Sequence, residues 1–372
     1  MSQTKEYFKG LGEQFAENEG EFLKLIPRTN NYSREEISMI YKALHKAIKL
    51  HEGQYRKSGE PYIKHPIGAA SILVNYGLDY EVICAALLHD TIEDTNYTLE
   101  ECAKDFGNTI ATLVDGATKI GKDVNSLTKQ KILNSIKVDA RSIAVKSADR
   151  LHNMYTLEHL KESKQKEIAT ETRDFYVPIA KTLGIYKLKD EFQDLSLFYL
   201  DKEEFLRYYE IKQILKPIYG KKLSDLADKV QSELSKNGIA MEYEHRIKNV
   251  GGIYEEINRG TELKKISDLF AIKMVLSDDD LCYESFDTVC KLCKLKDDSY
   301  EDFILNPKNN GYRSINFNVT YRDLDAQIRI RTNKMQAKNN LGVFSDWNEE
   351  TQHKINADLN DELDRLAKRI IK

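Results

Sequence analysis

The sequence predicts an all-α N-terminal domain followed by an α+β C-terminal domain. Before about residue 235, apolar residues recur every three or four positions, which is the spacing of an amphipathic helix. After about residue 240, SDLFAIKMVL is typical of a buried strand, and NFNVTYRDLDAQIRIRT alternates on both sides of an Arg322-Asp323 turn. We expect domains over residues 1–200 and 201–372, with connecting helices at about 196–240.

Helical spacing is clearest in three segments of the first domain. They contain Ile37, Ile40, Tyr41, Leu44 and Ile48, then Val82, Ala85, Ala86 and His89, then Ile179 and Leu183 followed after Gly184 by Phe192, Leu195 and Leu197. The chain ends in LNDELDRLAKRIIK, which is charged and again helical in pattern.

Composition excludes several classes of protein. A chain of 372 residues with 41% hydrophobic content can form a core for each of two or three domains. A formal net charge of −4 gives no general attraction to a nucleic-acid backbone, so we expect no DNA partner. The sequence has no apolar run long enough for a signal peptide or a membrane span, which predicts a cytoplasmic protein with no membrane partner. Five scattered cysteines favour reduced thiols over disulfides.

The run AALLHDTIEDT places ionisable groups at the end of an apolar helix. The i to i+4 spacing sets Glu93 near His89 and Asp94 near Asp90, on one helix face. Burying carboxylates is costly unless a cation compensates them, so the pattern indicates a bound cation. A single His or a His-Asp pair is more often structural, and each residue taken alone leaves that alternative open.

Two further residues could complete a mononuclear site. They are His65 in PYIKHP and Asp149 in VKSADRLHN, where an apolar stretch again ends in an acid. Neutral imidazoles combined with carboxylates suit Mn²⁺, Zn²⁺ or Fe²⁺ better than Ca²⁺ or Mg²⁺.

This ordered set of a His, a His-Asp pair and a later Asp resembles the HD-domain phosphohydrolase superfamily. HEGQYRKSGEPYIKHP, LLHDTIEDT, LVDGATKIGK, VKSADRLHNMYTL and ETRDFYVPIAKTLGI, over residues 40–200, resemble the hydrolase domain of the RelA/SpoT homologue family. That resemblance implies removal of the 3′-diphosphate from the alarmones ppGpp and pppGpp, giving GDP or GTP and pyrophosphate.

The resemblance also implies a role for individual residues. One Mn²⁺ would be held by His65, His89, Asp90 and Asp149, while Glu93 and Asp94 would be the acid and base groups acting on the attacking water. The nucleotide would be contacted by Arg56, Lys57, Ser58, Tyr62, Asn153 and Thr156. We interpret His51 and His152 as structural.

Residues 246–350 resemble the synthetase domain of the same family, which transfers pyrophosphate from ATP to GDP or GTP and has a nucleotidyltransferase-like fold. The resemblance implies a site where Asp268 and Asp325 could hold Mg²⁺ and Tyr312 stacks on guanine. The retained positions are Arg246, Lys248, Asp268, Lys308, Tyr312 and Asp325, the last in place of a catalytic Glu.

Several cations of that synthetase pattern are missing. Glu255 and Glu256 stand where the family has an Arg-Lys pair, and Ser299 and Glu301 replace two further cations. Each lost charge-assisted contact to a triphosphate should cost roughly 1–3 kcal/mol, so we expect no synthesis. The alternatives are a bifunctional enzyme, or a hydrolase regulated by a nucleotide on the second domain. Without the family's C-terminal regulatory domains we expect no ribosome docking, and the oligomeric state stays open.

Overall fold

The computed structural model describes residues 7–8, 15–29, 32–118, 126–345 and 355–371. Contacts between residues divide the chain into two compact units. The first comprises Met1–Ile179 with Asp346–Lys372, and the second comprises Ala180–Ser345. The end of the LVDGATKIGK motif, residues 119–122, lies outside the described residues.

The described part of the first unit is helical. Its successive α-helices are α1 (Glu19–Thr29), α2 (Arg34–Leu50), α3 (Lys64–Asn75), α4 (Tyr80–Leu88), α5 (Thr91–Asp94), α6 (Leu99–Phe106), α7 (Asn108–Ala117), α8 (Ser126–Val138), α9 (Ser142–Tyr155) and α10 (Glu162–Glu171). A π-helical turn, Thr172–Tyr176, follows α10 and leads into α11 (Val177–Thr182).

Local sequence sets where these helices begin. Ser33 and Glu36 form a capping box at the start of α2, and Thr98 and Glu101 form one at the start of α6. Helix α4 begins after Asp79, whose side chain accepts a hydrogen bond from the Val82 backbone N–H. Helices α3, α4 and α9 are buried along most of their length and pack against one another, which makes them the centre of this unit.

The second unit contains a mixed sheet flanked by helices. Its elements are α12 (Tyr186–Leu200), α13 (Lys202–Lys236), β1 (Glu242–Ile247), α14 (Val250–Asn258), β2 (Phe270–Leu276), α15 (Asp279–Leu292), β3 (Lys294–Leu295), β4 (Glu301–Asp302), β5 (Ile315–Tyr321), β6 (Leu324–Thr332) and α16 (Asn333–Leu341). The strand order is β1-β2-β6-β5-β3, with β4 also paired to β5. Strands β2 and β6 are parallel and the other pairs are antiparallel.

The predicted hairpin is confirmed, because β5 and β6 pair from Tyr321 and Leu324 outward across the Arg322-Asp323 turn. Arg322 adopts a φ of 54°, the left-handed conformation that tight turns require. The predicted class, an all-α domain followed by an α+β domain, is therefore the observed one.

The chain divides between Ile179 and Ala180. This division lies earlier in the chain than the boundary at residue 200 that the sequence patterns predict. Helix α12 groups with the sheet unit because it packs against α13 and α14. The last helix, α17 (Ala357–Ile370), groups instead with the first unit, where it contacts α8. Lys137 of α8 pairs with Asp364 of α17. No helix in the described part of the chain is long and apolar enough to cross a membrane.

Candidate metal centre

The four predicted metal ligands lie together where α3, α4 and α9 meet. His65 is in the first turn of α3, His89 follows the last residue of α4, Asp90 precedes α5, and Asp149 is in α9. All four are buried, with exposed fractions of 1% for His89 and 5% for each aspartate. Two carboxylates so far from solvent require positive charge beside them.

The polar side-chain atoms of these four residues lie close together. His65 Nε2 is 3.2 Å from Asp149 Oδ1 and 3.5 Å from Asp90 Oδ2. His89 Nε2 is 3.2 Å from Asp90 Oδ1 and 3.8 Å from Asp149 Oδ1. One donor atom each from His65, His89 and Asp149 lies within 4.8 Å of the other two. This is the spacing of side chains that share a metal ion.

The orientation of His89 fits a metal ligand. Its Nδ1 lies 2.7 Å from the Ala86 carbonyl oxygen, which can only accept, so Nδ1 carries a proton. Its Nε2 is buried and faces Asp90 Oδ1 at 3.2 Å and Asp149 Oδ1 at 3.8 Å. Burial opposes a charge on His89, but Asp90 and Asp149 outweigh burial and raise its pKa to about 9. The space in front of His89 Nε2 is therefore favourable for a positive charge. Imidazole nitrogens and carboxylate oxygens together are suitable ligands for a divalent metal ion.

Lys146 provides a fixed cation beside this cluster. It is only 2% exposed, and its Nζ donates to Asp149 Oδ2 over 2.7 Å. Burial would raise the pKa of Asp149, but the Lys146 ammonium together with His65 and His89 outweighs burial and holds that pKa well below its usual value. The sequence patterns do not predict Lys146, because a helical lysine usually extends into solvent. Its i to i+3 spacing from Asp149 is the signal that could have found it.

Tyr62 connects a candidate ligand to a candidate catalytic acid or base. Its hydroxyl oxygen lies 2.8 Å from Asp90 Oδ2 and 2.8 Å from Asp94 Oδ2. Burial and these two carboxylates raise the pKa of Tyr62, so it remains a neutral donor whose single proton faces both acids. Glu93 lies on the same short helix as Asp94, and both of their side chains are exposed.

A cavity of about 910 Å³ opens beside the cluster and is lined by His65, Asp90 and Asp149. All six predicted nucleotide contacts line it as well: Arg56, Lys57, Ser58, Tyr62, Asn153 and Thr156. Buried or partly buried cations that were not predicted, Lys129, Lys146 and Arg150, add positive charge to its wall. Neither Glu93 nor Asp94 is among the described residues that line it.

Asn153 joins the cavity wall to the cluster. Its Nδ2 donates to Asp149 Oδ1 over 2.6 Å, and its Oδ1 accepts from Arg56 Nη2 over 2.7 Å. One amide therefore holds both a candidate metal ligand and a candidate nucleotide-binding cation.

In the second unit, predicted synthetase-like residues gather around Asp268. Lys248 Nζ is 2.6 Å from Asp268 Oδ1, and Arg246 Nη2 is 3.9 Å from Asp268 Oδ2. Arg329, on β6, adds a third cation at 3.6 Å. Burial would raise the pKa of Asp268, but Lys248 and the two arginines outweigh it and lower that pKa.

Tyr312 and Asp325 have other partners. The ring of Tyr312 is buried, with Lys308 Nζ 5.3 Å and Arg331 Cζ 5.5 Å from its centre. Asp325 is exposed, 2.5 Å from Lys296 Nζ. The structure thus places Asp325 beside Lys296, whereas Asp268 lies among three other cations.

Glu255 and Glu256, which we interpret as replacing two cations, make contacts within the second unit. Glu255 accepts from Gln193 Nε2 over 2.7 Å and lies 3.5 Å from Arg259. Glu256 lies 3.3 Å from the same arginine. These carboxylates therefore stabilise α14 and its contact with α12.

Comparisons with known proteins agree with this architecture. Residues 43–186 match the HD domain family, and residues 245–354 match the family described as a region found in RelA / SpoT proteins. A helical HD domain followed by a mixed-sheet RelA/SpoT region defines the class of protein. The chain belongs to the RelA/SpoT homologue family.

Three curated relatives illustrate the range of that family. The chain is 37% identical over 358 residues to a guanosine-3′,5′-bis(diphosphate) 3′-pyrophosphohydrolase of Borreliella burgdorferi, covering 91% of this chain and 52% of that one. It is 36% identical over 334 residues to a GTP pyrophosphokinase of Myxococcus xanthus, covering 86% and 44%. It is 33% identical over 325 residues to the bifunctional (p)ppGpp synthase/hydrolase SpoT of Escherichia coli, covering 84% and 46%. The chain spans about half the length of these relatives.

Proposed function

We propose that this chain hydrolyses ppGpp and pppGpp, removing the 3′-diphosphate and releasing GDP or GTP and pyrophosphate. The observation that carries the proposal is the convergence of the His65 and His89 imidazoles with the Asp149 carboxylate, with Asp90 in contact with both imidazoles. A cavity whose wall includes Arg56, Lys57 and Lys129 opens beside this cluster. The names of two of the curated relatives, a pyrophosphohydrolase and a bifunctional enzyme, support the same substrate class.

His65, His89, Asp90 and Asp149 would hold one Mn²⁺, because neutral imidazoles and carboxylates together suit that ion. When bound, it would supply a water of lowered pKa that can attack phosphorus at neutral pH. Lys146 keeps Asp149 ionised and therefore ready to bind a cation.

Glu93 and Asp94 are our candidates for proton transfer. One carboxylate accepts a proton from the attacking water, and the other delivers a proton to the 3′-oxygen as its bond to phosphorus breaks. Tyr62 fixes Asp94 relative to the candidate ligand Asp90 through its shared hydroxyl proton. Glu93 is exposed, on the short helix that begins directly after the candidate ligand Asp90.

The cavity wall would bind the nucleotide. Arg56 carries a planar cation that can stack on guanine or pair with phosphate, and Asn153 holds it in place. Lys57 adds charge, and Ser58 and Thr156 add hydroxyl groups. In this proposal the residues of the cavity wall bind the nucleotide, and the metal ligands with Glu93 and Asp94 carry out the hydrolysis.

The direct test is incubation of the purified chain with Mn²⁺ and ppGpp labelled in the 3′-diphosphate, with a chelator-treated sample as control. We expect labelled pyrophosphate and GDP in the presence of metal only. Release of labelled monophosphate, or equal activity after chelation, would contradict the proposed reaction.

For the second unit we propose nucleotide binding without pyrophosphate transfer. Arg246, Lys248 and Arg329 lie near Asp268. These three cations could bind phosphate groups, and Asp268 could hold Mg²⁺. Glu255, Glu256 and Glu301 stand where synthesis would need cations. A guanine nucleotide bound there would then regulate the hydrolase. Calorimetry with GDP, using full-length Arg246→Ala as the control, tests binding.

A further inference from the structure

The two candidate histidine ligands are oriented by different kinds of partner. His89 Nδ1 lies against the backbone carbonyl of Ala86. His65 Nδ1 lies 2.9 Å from Nδ1 of another imidazole, that of His152, which is one helical turn beyond Asp149 on α9. His152 is itself buried, at 8% exposure. A nitrogen pair this close needs one proton between its members.

The position of Arg56 identifies which imidazole donates that proton. Arg56 Nη1 lies 3.4 Å from the same His152 Nδ1. A guanidinium can only donate hydrogen bonds, so His152 Nδ1 is the acceptor. The proton of the pair therefore lies on His65 Nδ1. This leaves the lone pair of His65 on Nε2, the atom that faces Asp149 and Asp90.

Packing holds the His152 ring in this orientation. A Cβ at Gly68, on the turn of α3 that follows His65, would lie 2.2 Å from Cδ2 and 2.3 Å from Nε2 of His152. Any side chain at position 68 would therefore displace the ring. Phe15 contacts the ring as well, with ring centres 5.2 Å apart.

We propose that His152 is a positioning residue for the metal centre: its Nδ1 accepts from His65 Nδ1 and so directs the His65 Nε2 lone pair at the metal. Gly68 provides the space that this contact requires. The inference rests on the proposed function in one respect, namely that the cluster binds a divalent metal ion. It assigns to His152 a role beyond core packing.

The test compares His152→Asn with His152→Leu in the full-length protein. The two side chains have similar size, but only Asn places an acceptor oxygen near the position of Nδ1. We measure Mn²⁺ binding to the metal-free proteins by calorimetry, and the thermal midpoint of each metal-free protein as a control for packing. We expect His152→Leu to weaken Mn²⁺ binding roughly 10- to 100-fold, the usual effect of losing a partner of a metal-binding histidine, and His152→Asn to retain affinity within about threefold.

Gly68→Ala provides an independent variant in which His152 remains present but its ring must move. We expect the same direction of affinity loss, and this variant replaces His152→Leu in the comparison if the latter does not fold. Equal Mn²⁺ affinity in wild type, His152→Leu and Gly68→Ala would overturn the inference while leaving the metal centre intact. Failure of the wild type to bind Mn²⁺ would instead refute the proposed metal centre itself.

Discussion

Asp149 has distinct neighbours on its two carboxylate oxygens. Lys146 donates to Oδ2, while Oδ1 faces the two histidines and accepts from Asn153 Nδ2. Asp149→Asn should therefore abolish Mn²⁺ binding and hydrolysis while the fold is retained, because an amide oxygen can still accept from Lys146. Calorimetry with Mn²⁺ and circular dichroism measure the two effects. Asp149→Ala is the less specific change, since an unpaired buried Lys146 would cost about 3–5 kcal/mol of stability. Undiminished Mn²⁺ affinity in Asp149→Asn would remove Asp149 from the proposed ligands.

Glu93 has a proposed role in proton transfer and none in holding the metal. Glu93→Gln keeps the shape of the side chain but cannot exchange a proton, so turnover should fall roughly 10²- to 10⁴-fold. Mn²⁺ affinity should be unchanged. Steady-state kinetics and metal calorimetry on the same preparation separate the two effects, and loss of metal would reassign Glu93 as a ligand.

Arg56 belongs to the wall of the cavity. Arg56→Ala should raise KM for ppGpp more than it lowers kcat, because a cation that binds the nucleotide acts before the chemical step. Arg56→Lys, which keeps the charge but loses the planar group, is the matched control and should recover only part of the affinity. A decrease in kcat with unchanged KM would contradict a binding role.

Among individual residues, the sequence identifies those whose partners are close to them along the chain. Ionisable groups at the ends of apolar stretches indicate His89, Asp90 and Asp149 from the sequence alone. The role that we infer for His152 depends on His65 and Gly68, which come from a different helix. The spacing of residues along the chain does not predict a contact between two helices, and a histidine on a helix is ordinarily interpreted as structural. The roles of all these residues remain predictions until the variants are measured.

Helix α17 has an apolar face that is buried. Leu359, Leu363 and Leu366 are buried where α17 packs with the first unit. Leu363→Ala should lower the free energy of local unfolding by about 2–5 kcal/mol, the usual cost of a buried leucine. Hydrogen–deuterium exchange should then report faster exchange in α8, residues 126–138. Arg365→Ala, an exposed change on the same helix, is the control, and unchanged α8 exchange in Leu363→Ala would contradict the contact.

The helices and strands were easier to predict from the sequence than the way in which they pack into two units. The strand alternation of residues 315–332 locates a hairpin correctly, because one residue in two faces the core. Helical spacing indicates α12, yet it does not report that α12 packs on α14. Similarly, the amphipathic pattern of α17 shows that one face is buried but not which unit covers it. Boundaries between units depend on these long-range contacts.

For the whole molecule we propose a hydrolase cluster in the first unit and a second unit that does not transfer pyrophosphate. We expect no ppGpp from ATP and GDP with Mg²⁺, even in Glu93→Gln protein that cannot destroy the product. A triphosphate needs cationic partners for its phosphates, and the resemblance to the synthetase domain implies that Glu255, Glu256 and Glu301 stand where those cations would be. Chromatography of labelled nucleotides is the measurement. Sustained ppGpp production by Glu93→Gln would instead identify a bifunctional enzyme.

The contact between His89 and the Ala86 carbonyl has a consequence for how such a centre can diverge or be engineered. A main-chain oxygen is present whatever residue occupies position 86, so no single substitution there deletes the acceptor. The other imidazole depends on a side chain, that of His152, which substitution can alter in small steps. In the proposed centre the backbone thus fixes the orientation of His89, whereas substitutions at position 152 would change the orientation of His65.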